Sequence, residues 1–184
     1  MSAVAYSFAQ DLQKNLKVPV GIIHTAVGGV PTESFISYDK MKSNKELKDL
    51  TKDWINSKKV GTWCQGRARH NLSAWIKANP KSKNYPNHPF KPGFLAEAGV
   101  KPIAPYAIKG ALWYQGESNA PDRRGSSGKD YVNGFDLELS RIKLQALIED
   151  WRTQWKNKKL PFLFVQLPGM NRPWAPYREM QRRM

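Results

Sequence analysis

Residues 107–114 form an apolar run, Ala107-Ile108-Lys109-Gly110-Ala111-Leu112-Trp113-Tyr114, that ends at once on the polar loop Gln115-Gly116-Glu117-Ser118-Asn119-Ala120. A short apolar run bounded by turn residues is the pattern of a strand buried on both faces, and such strands belong to parallel sheets covered by helices. The pattern occurs twice more. Residues 18–24 (Val18-Pro19-Val20-Gly21-Ile22-Ile23-His24) carry four β-branched side chains and lead into the loop at 25–34, which contains Gly28-Gly29. Residues 161–167 (Pro161-Phe162-Leu163-Phe164-Val165-Gln166-Leu167) lead into Pro168-Gly169-Met170-Asn171.

Helical stripes alternate with these runs. Val4, Phe8, Leu12 and Leu16 recur every four residues and predict a helix over 2–16. Leu47, Leu50, Trp54 and Ile55 suggest a helix near 44–56, and Leu72, Trp75 and Ile76 another near 67–78. Phe135, Leu139, Ile142, Leu147, Trp151 and Trp155 mark a long amphipathic helix over about 130–156, after a loop at 121–129. Pro176 opens a last helical stretch over 177–183. Three buried strands with helices between them predict an α/β fold with a mostly parallel sheet. In such sheets ligands sit beyond the carboxyl ends of the strands, where the loops 25–34 and 115–120 both fall.

The length of 184 residues corresponds to one domain. No stretch approaches the roughly 20 apolar residues of a membrane-spanning helix, so no membrane partner is expected. Cys64 is the only cysteine, which excludes an intrachain disulfide and a cysteine-rich metal module; no motif suggests a metal or an organic cofactor. The net charge of +15 invites a polyanionic partner. Its distribution argues otherwise, because residues 39–83 hold twelve basic and four acidic side chains while residues 1–38 are neutral. A basic surface on one peripheral region accounts for that pattern. No zinc-finger spacing, RNP-type signature or arginine-glycine repeat supports a nucleic-acid partner.

The block running from Ile108 to Ala120, with Trp113-Tyr114-Gln115-Gly116-Glu117-Ser118-Asn119 at its centre, closely resembles the third conserved block of the sialate O-acetylesterase-like carbohydrate esterases of the SGNH hydrolase superfamily. Residues 18–34 with Gly28-Gly29, Leu147-Ile148-Glu149-Asp150-Trp151-Arg152 with Trp155, and 161–167 with Arg178-Glu179-Met180-Gln181 resemble the same family in the same order. Residues 39–93 fit only loosely and read as a basic insertion in a partial domain spanning 1–184.

The resemblance implies a flavodoxin-like SGNH-hydrolase α/β sandwich and a serine esterase that removes acetyl groups from sugar hydroxyls without a cofactor. A serine attacks the ester carbonyl, a histidine acts as general base, and water releases the acetyl group. The oxyanion donors it implies are the serine N–H, a second-block glycine and the third-block asparagine. The glycine falls on Gly28 or Gly29, with Gly29 preferred, and the asparagine on Asn119, in the turn made by Gly116. Glycine lets a backbone N–H approach a substrate closely, and asparagine is a donor that does not titrate. Glu117 either orients a histidine or is an ordinary ion-paired carboxylate. Gln115, Trp113 and Trp174 are candidate substrate contacts, although core packing is the alternative for the tryptophans.

Two blocks of the family are not found among the 184 residues: the Gly-Gln-Ser-Asn-like nucleophile block and the Asp-x-x-His-like base block. Ser118 does not occupy the nucleophile position of the family, and its Gly-x-Ser-x setting lacks the second glycine of a nucleophile elbow. None of His24, His70 and His88 has an aspartate three residues before it, so no nucleophile and no general base is assigned. The expectation is a domain without its first strand and without its C-terminal strand, loop and helix, inactive by itself, whose partners are an acetylated carbohydrate and the remaining N- and C-terminal parts of the domain. With the strand order 2-1-3-4-5, the absent strand lies between the second and third, which predicts unpaired edges and exposed apolar side chains. The resemblance leaves the sugar open and implies export; residues 1–6 show no signal-peptide pattern. The competing reading is a non-catalytic basic module or pseudoenzyme that binds acidic glycans or nucleic acid.

Overall fold

The computed structural model describes residues 2–121, 136–170 and 172–184. Among the described residues, six α-helices and two short strands follow in the order α1 (Ala3–Leu16), α2 (Tyr38–Ser43), α3 (Thr62–Asn71), α4 (Ser73–Ala78), β1 (Ala111–Trp113), α5 (Leu137–Gln154), β2 (Phe162–Phe164) and α6 (Ala175–Arg182). β1 and β2 pair in parallel, Ala111 opposite Phe162 and Trp113 opposite Phe164. The ladder extends by one bond at each end, Ala111 N–H to Pro161 O and Val165 N–H to Trp113 O. Parallel neighbours need a long crossover, and α5 lies within it.

α5 starts where the sequence has a good cap. The Asp136 carboxylate accepts from Leu139 N–H at 2.9 Å, and Glu138 lies in the first turn, where the helix dipole favours a negative charge. Leu144, Leu147, Ile148 and Trp151 form its buried face. The Ile-Glu-Asp-Trp-Arg segment of this helix is a clamp. Asp150 accepts from Ser37 N–H at 2.7 Å and from Ser37 Oγ at 2.8 Å, Trp151 Nε1 donates to Phe35 O, and Arg152 Nε donates to Leu160 O. The 3₁₀ turn Thr32–Phe35 and the start of α2 are thereby fixed across the helix.

The basic region is not peripheral. Leu47, Leu50, Trp54, Ile55, Val60, Cys64, Ala68 and Phe90 join one core with Phe35, Ile36, Trp113, Leu144, Leu147, Leu167 and Tyr177. Its cations stay at the surface because a long stem can cover apolar area while the charge remains in water. The helix expected near 44–56 is replaced by turns and a 3₁₀ segment at Trp54–Asn56, where Asp53 takes a left-handed conformation (φ 43°) that interrupts any helix. The helix expected at 67–78 is two, α3 and α4, meeting at Leu72.

The N-terminal expectation divides. α1 forms as predicted, capped by Ser2 and ended by Lys17 in the left-handed region, but its stripe is not buried: Val4, Phe8 and Leu16 are exposed and only Ala9 is buried. Residues 18–24 are not a buried strand; they have no regular structure, and Val18, Ile22 and Ile23 are exposed. A strand exists only when a neighbour accepts its ladder, and among the described residues no strand pairs with this segment. The expected exposed apolar side chains are therefore present. The other strands are shorter than expected, three residues each, and residues 122–135, with the expected loop and the start of the long helix, lie outside the described residues.

Candidate functional site

The loop after β1 and the loop at 25–34 meet. Ser118 Oγ donates to Gly29 O at 2.8 Å, and Thr32 N–H donates to Asn119 Oδ1 at 2.8 Å. Residues nearly ninety positions apart are thus joined by two direct hydrogen bonds. Gly29 has φ +75°, a conformation that glycine adopts without strain, and a Cβ there would lie 2.6 Å from the Trp63 ring. Gly28 has open space around it. Gly116 is equally confined, since a Cβ would lie 2.4 Å from the buried Tyr177 ring. Its carbonyl accepts from Asn119 N–H and Ala120 N–H, which closes the turn that presents Asn119.

Asn119 is the centre of a polar network. Its Oδ1 accepts from Thr32 N–H and from Gln115 Nε2 at 2.9 Å, with Thr32 Oγ1 3.0 Å away. Gln115 Nε2 also donates to Val30 O, and the Gln115 main-chain carbonyl accepts from Gln181 Nε2 of α6. A backbone N–H can only donate, so Thr32 dictates which end of the Asn119 amide carries oxygen. The Nδ2 end faces Glu33 and donates to Oε2 at 2.9 Å. Glu33 is fully buried, and its other oxygen accepts from Lys143 Nζ at 2.9 Å. Lys143, also buried, gives a second bond to Lys59 O. Buried charges persist only when paired and hydrogen-bonded, and both conditions hold.

The remaining expected residues are placed as follows. Glu117 is exposed, and its carboxylate accepts from Gly116 N–H, a local contact with no histidine beside it. Trp113 is buried in edge contacts with Phe35 and Trp151, and Trp174 is buried against the core, so neither ring is open for stacking on a sugar. Ser118 Oγ makes no hydrogen bond to a histidine among the described residues. His24 and His70 are exposed. His88 is buried beside Trp54 and Phe90, accepts from Phe90 N–H through Nδ1, and burial pushes its pKa down, as suits a neutral structural imidazole. Cys64 hydrogen-bonds Ser118, and burial pushes its thiol up to about 12. Burial first, and then the Glu33 and Glu117 charges, also push the Tyr177 phenol upward. Among the described residues no cluster of three or more His, Cys, Asp or Glu could hold a metal ion, and no helix is long and apolar enough to cross a membrane.

Sequence reading missed Glu33, Lys143, Thr32 and Trp63. The charged pair is separated by 110 positions, and nothing in either local sequence marks it. Trp63 lies in the region that fits the family least, yet it packs over Gly29 and against Phe90.

Residues 94–184 match the profile of the family described as carbohydrate esterase, sialic acid-specific acetylesterase. The chain is 28% identical to sialate O-acetylesterase of Homo sapiens over 178 residues, 91% of this chain and 25% of that one, and 25% identical to the Rattus norvegicus protein. It spans about a quarter of the length of these relatives. A carbohydrate acetylesterase of known structure from Xanthomonas citri superimposes with a TM-score of 0.56 at 24% identity, covering the whole of this chain and 32% of that one, in agreement with a partial SGNH-like α/β fold. The chain is thus similar to the sialate O-acetylesterases over most of its length, and its residues 94–184 match the sialic acid-specific acetylesterase family of carbohydrate esterases.

Proposed function

We propose that this chain supplies the oxyanion-binding half of a carbohydrate O-acetylesterase, with Gly29 N–H and Asn119 Nδ2 as donors to the carbonyl oxygen of an acetylated, sialate-type sugar. The observation that carries the reading is the joining of Gly29 and Asn119 beyond the carboxyl end of β1 through Ser118 and Thr32. Asn119 is held by the buried Thr32 and Glu33, and Gly29 by Ser118, before any ligand arrives. Such preorganised donors typically contribute about 3–4 kcal/mol each to the transition state of acyl transfer. The nucleophilic serine and the general-base histidine come from segments outside these 184 residues, bearing the Gly-Gln-Ser-Asn-like and Asp-x-x-His-like blocks. The serine forms the acetyl-enzyme and expels the sugar hydroxyl, and water then releases acetate. Gln115 supports this donor by holding the Asn119 oxygen through its Nε2.

The test is acetyl release from an O-acetylated sialic acid, by the chain alone and after mixing or fusion with a polypeptide carrying the two blocks. The expected result is no turnover above background for the chain alone and turnover for the combination. Asn119→Ala in the combination lowers kcat by roughly 10²–10³-fold. Release by the chain alone that disappears in Ser118→Ala overturns the reading, as does a combination indifferent to Asn119→Ala.

A further inference from the structure

We propose that Glu33, neutralised by Lys143, is a positioning residue that fixes the Asn119 amide so that one Nδ2 proton is held in the protein and the other is available to a ligand oxygen. The proposal deepens the oxyanion-donor reading of Asn119 and rests on it. A primary amide has two N–H donors and one carbonyl oxygen. The Asn119 oxygen is occupied by Thr32 N–H and Gln115 Nε2, and Nδ2 gives one bond, to Glu33 Oε2. The side chain is thus held at both ends and cannot rotate or exchange its ends without breaking a part-buried hydrogen bond.

The choice of a carboxylate has a cost that Lys143 removes. A negative charge behind an oxyanion donor opposes the charge that develops on the substrate, and low-dielectric surroundings amplify that opposition. The Lys143 ammonium lies 2.9 Å from the other Glu33 oxygen, with the two side chains 5% and 0% exposed. The pair is neutral as a unit. It therefore offers Asn119 a strong acceptor without a net charge at the site. The clamp from Asp150 and Trp151 to Ser37 and Phe35 holds the 3₁₀ turn that carries Glu33, so the pair stands on a rigid support. Rigid support of this kind is what positioning a donor requires.

The experiment reads the Asn119 side-chain amide in ¹H–¹⁵N spectra of the complete 184-residue chain, with the resonance assigned from Asn119→Asp. In the unmodified chain the two Nδ2 protons are widely separated, one of them shifted downfield by the carboxylate. Two double variants avoid a stranded buried charge. Glu33→Leu with Lys143→Met removes the acceptor and fills the space, and the downfield proton is lost. Glu33→Gln with Lys143→Met keeps a neutral acceptor oxygen and restores the separation in large part. A role confined to stability would be met equally by both. An Asn119 amide unchanged in the Leu/Met variant overturns the proposal. Should that variant fail to fold, Glu33→Asp keeps the charge, withdraws the acceptor by one methylene, and the same proton must move upfield or the proposal falls. Absence of acetyl release by the combined polypeptides refutes the esterase reading alone, because the amide spectrum still decides the positioning role.

Discussion

Asp150→Ala is the substitution whose effect the structure determines most directly. Asp150 is 5% exposed and Ser37 is 2% exposed, and the two are joined by bonds of 2.7 and 2.8 Å to the Ser37 N–H and hydroxyl. A hydrogen bond to a charged group contributes about 1.5–3 kcal/mol net. Alanine leaves both Ser37 donors buried without an acceptor but also removes the desolvation of the carboxylate, so the loss should be about 3–5 kcal/mol. That is a large share of the roughly 5–15 kcal/mol that holds a domain folded. At about 2–4 °C per kcal/mol for a chain of this size, the midpoint should fall by about 10 °C. Asp150→Asn keeps one acceptor oxygen and should cost about 1–2 kcal/mol. Ser37→Ala removes the hydroxyl alone, and a double-mutant cycle with Asp150→Ala should return a coupling of about 1–2 kcal/mol. Urea unfolding followed by tryptophan fluorescence provides the free energies, since Trp151 lies next to the clamp. A loss below about 1 kcal/mol for Asp150→Ala, or equal losses for Ala and Asn, would refute the reasoning.

Gly116→Ala places a methyl 2.4 Å from the Tyr177 ring and should cost about 1–3 kcal/mol by overpacking, whereas Gly28→Ala, in open space, should change the unfolding free energy by less than about 0.5 kcal/mol. Cys64, with its thiol pushed up to about 12 by burial, should resist alkylation in the folded chain at mildly alkaline pH and react fully in urea, as read by mass spectrometry. The Glu179 carboxylate is held down to about 2, chiefly by hydrogen bonds from Arg182 and Arg183. A depressed carboxylate stabilises the fold above its ordinary range, and that contribution fades as pH falls toward 2. A ¹³C titration should place its midpoint near that value, and replacing both arginines with glutamine should return it to the ordinary range. A midpoint already in the ordinary range in the unmodified chain contradicts the exposed-helix geometry of α6.

The apolar runs and their terminal loops were legible because a parallel strand leaves a dense local record, although the expected burial on both faces is not met: Leu112 and Leu163 are exposed. Residues 111–113 and 162–164 pair in parallel inside the runs that predicted them. The Asn119 loop was legible as chemistry because glycine, amide and hydroxyl side chains crowd into six positions. The Ile-Glu-Asp-Trp-Arg block could be recognised by resemblance, but its use as a clamp on Ser37 and Phe35 could not be read from it. Residues 18–24 show the converse. Their composition is that of a buried strand, yet with no neighbouring strand to accept the ladder they have no regular structure.

By itself the amino-acid sequence determined the α/β class, the course of α1 and α5, and the resemblance that singled out Gly29 and Asn119. Local periodicity and residue chemistry are properties of neighbouring positions, so they survive in one dimension. Only the tertiary structure decided that the basic region is part of the core, that Trp113 and Trp174 are interior, and that Asn119 is held by Glu33 and Lys143. Those outcomes depend on pairing between distant positions and on burial, which sets the strength of a charge pair, and neither quantity is written in any local stretch of the chain.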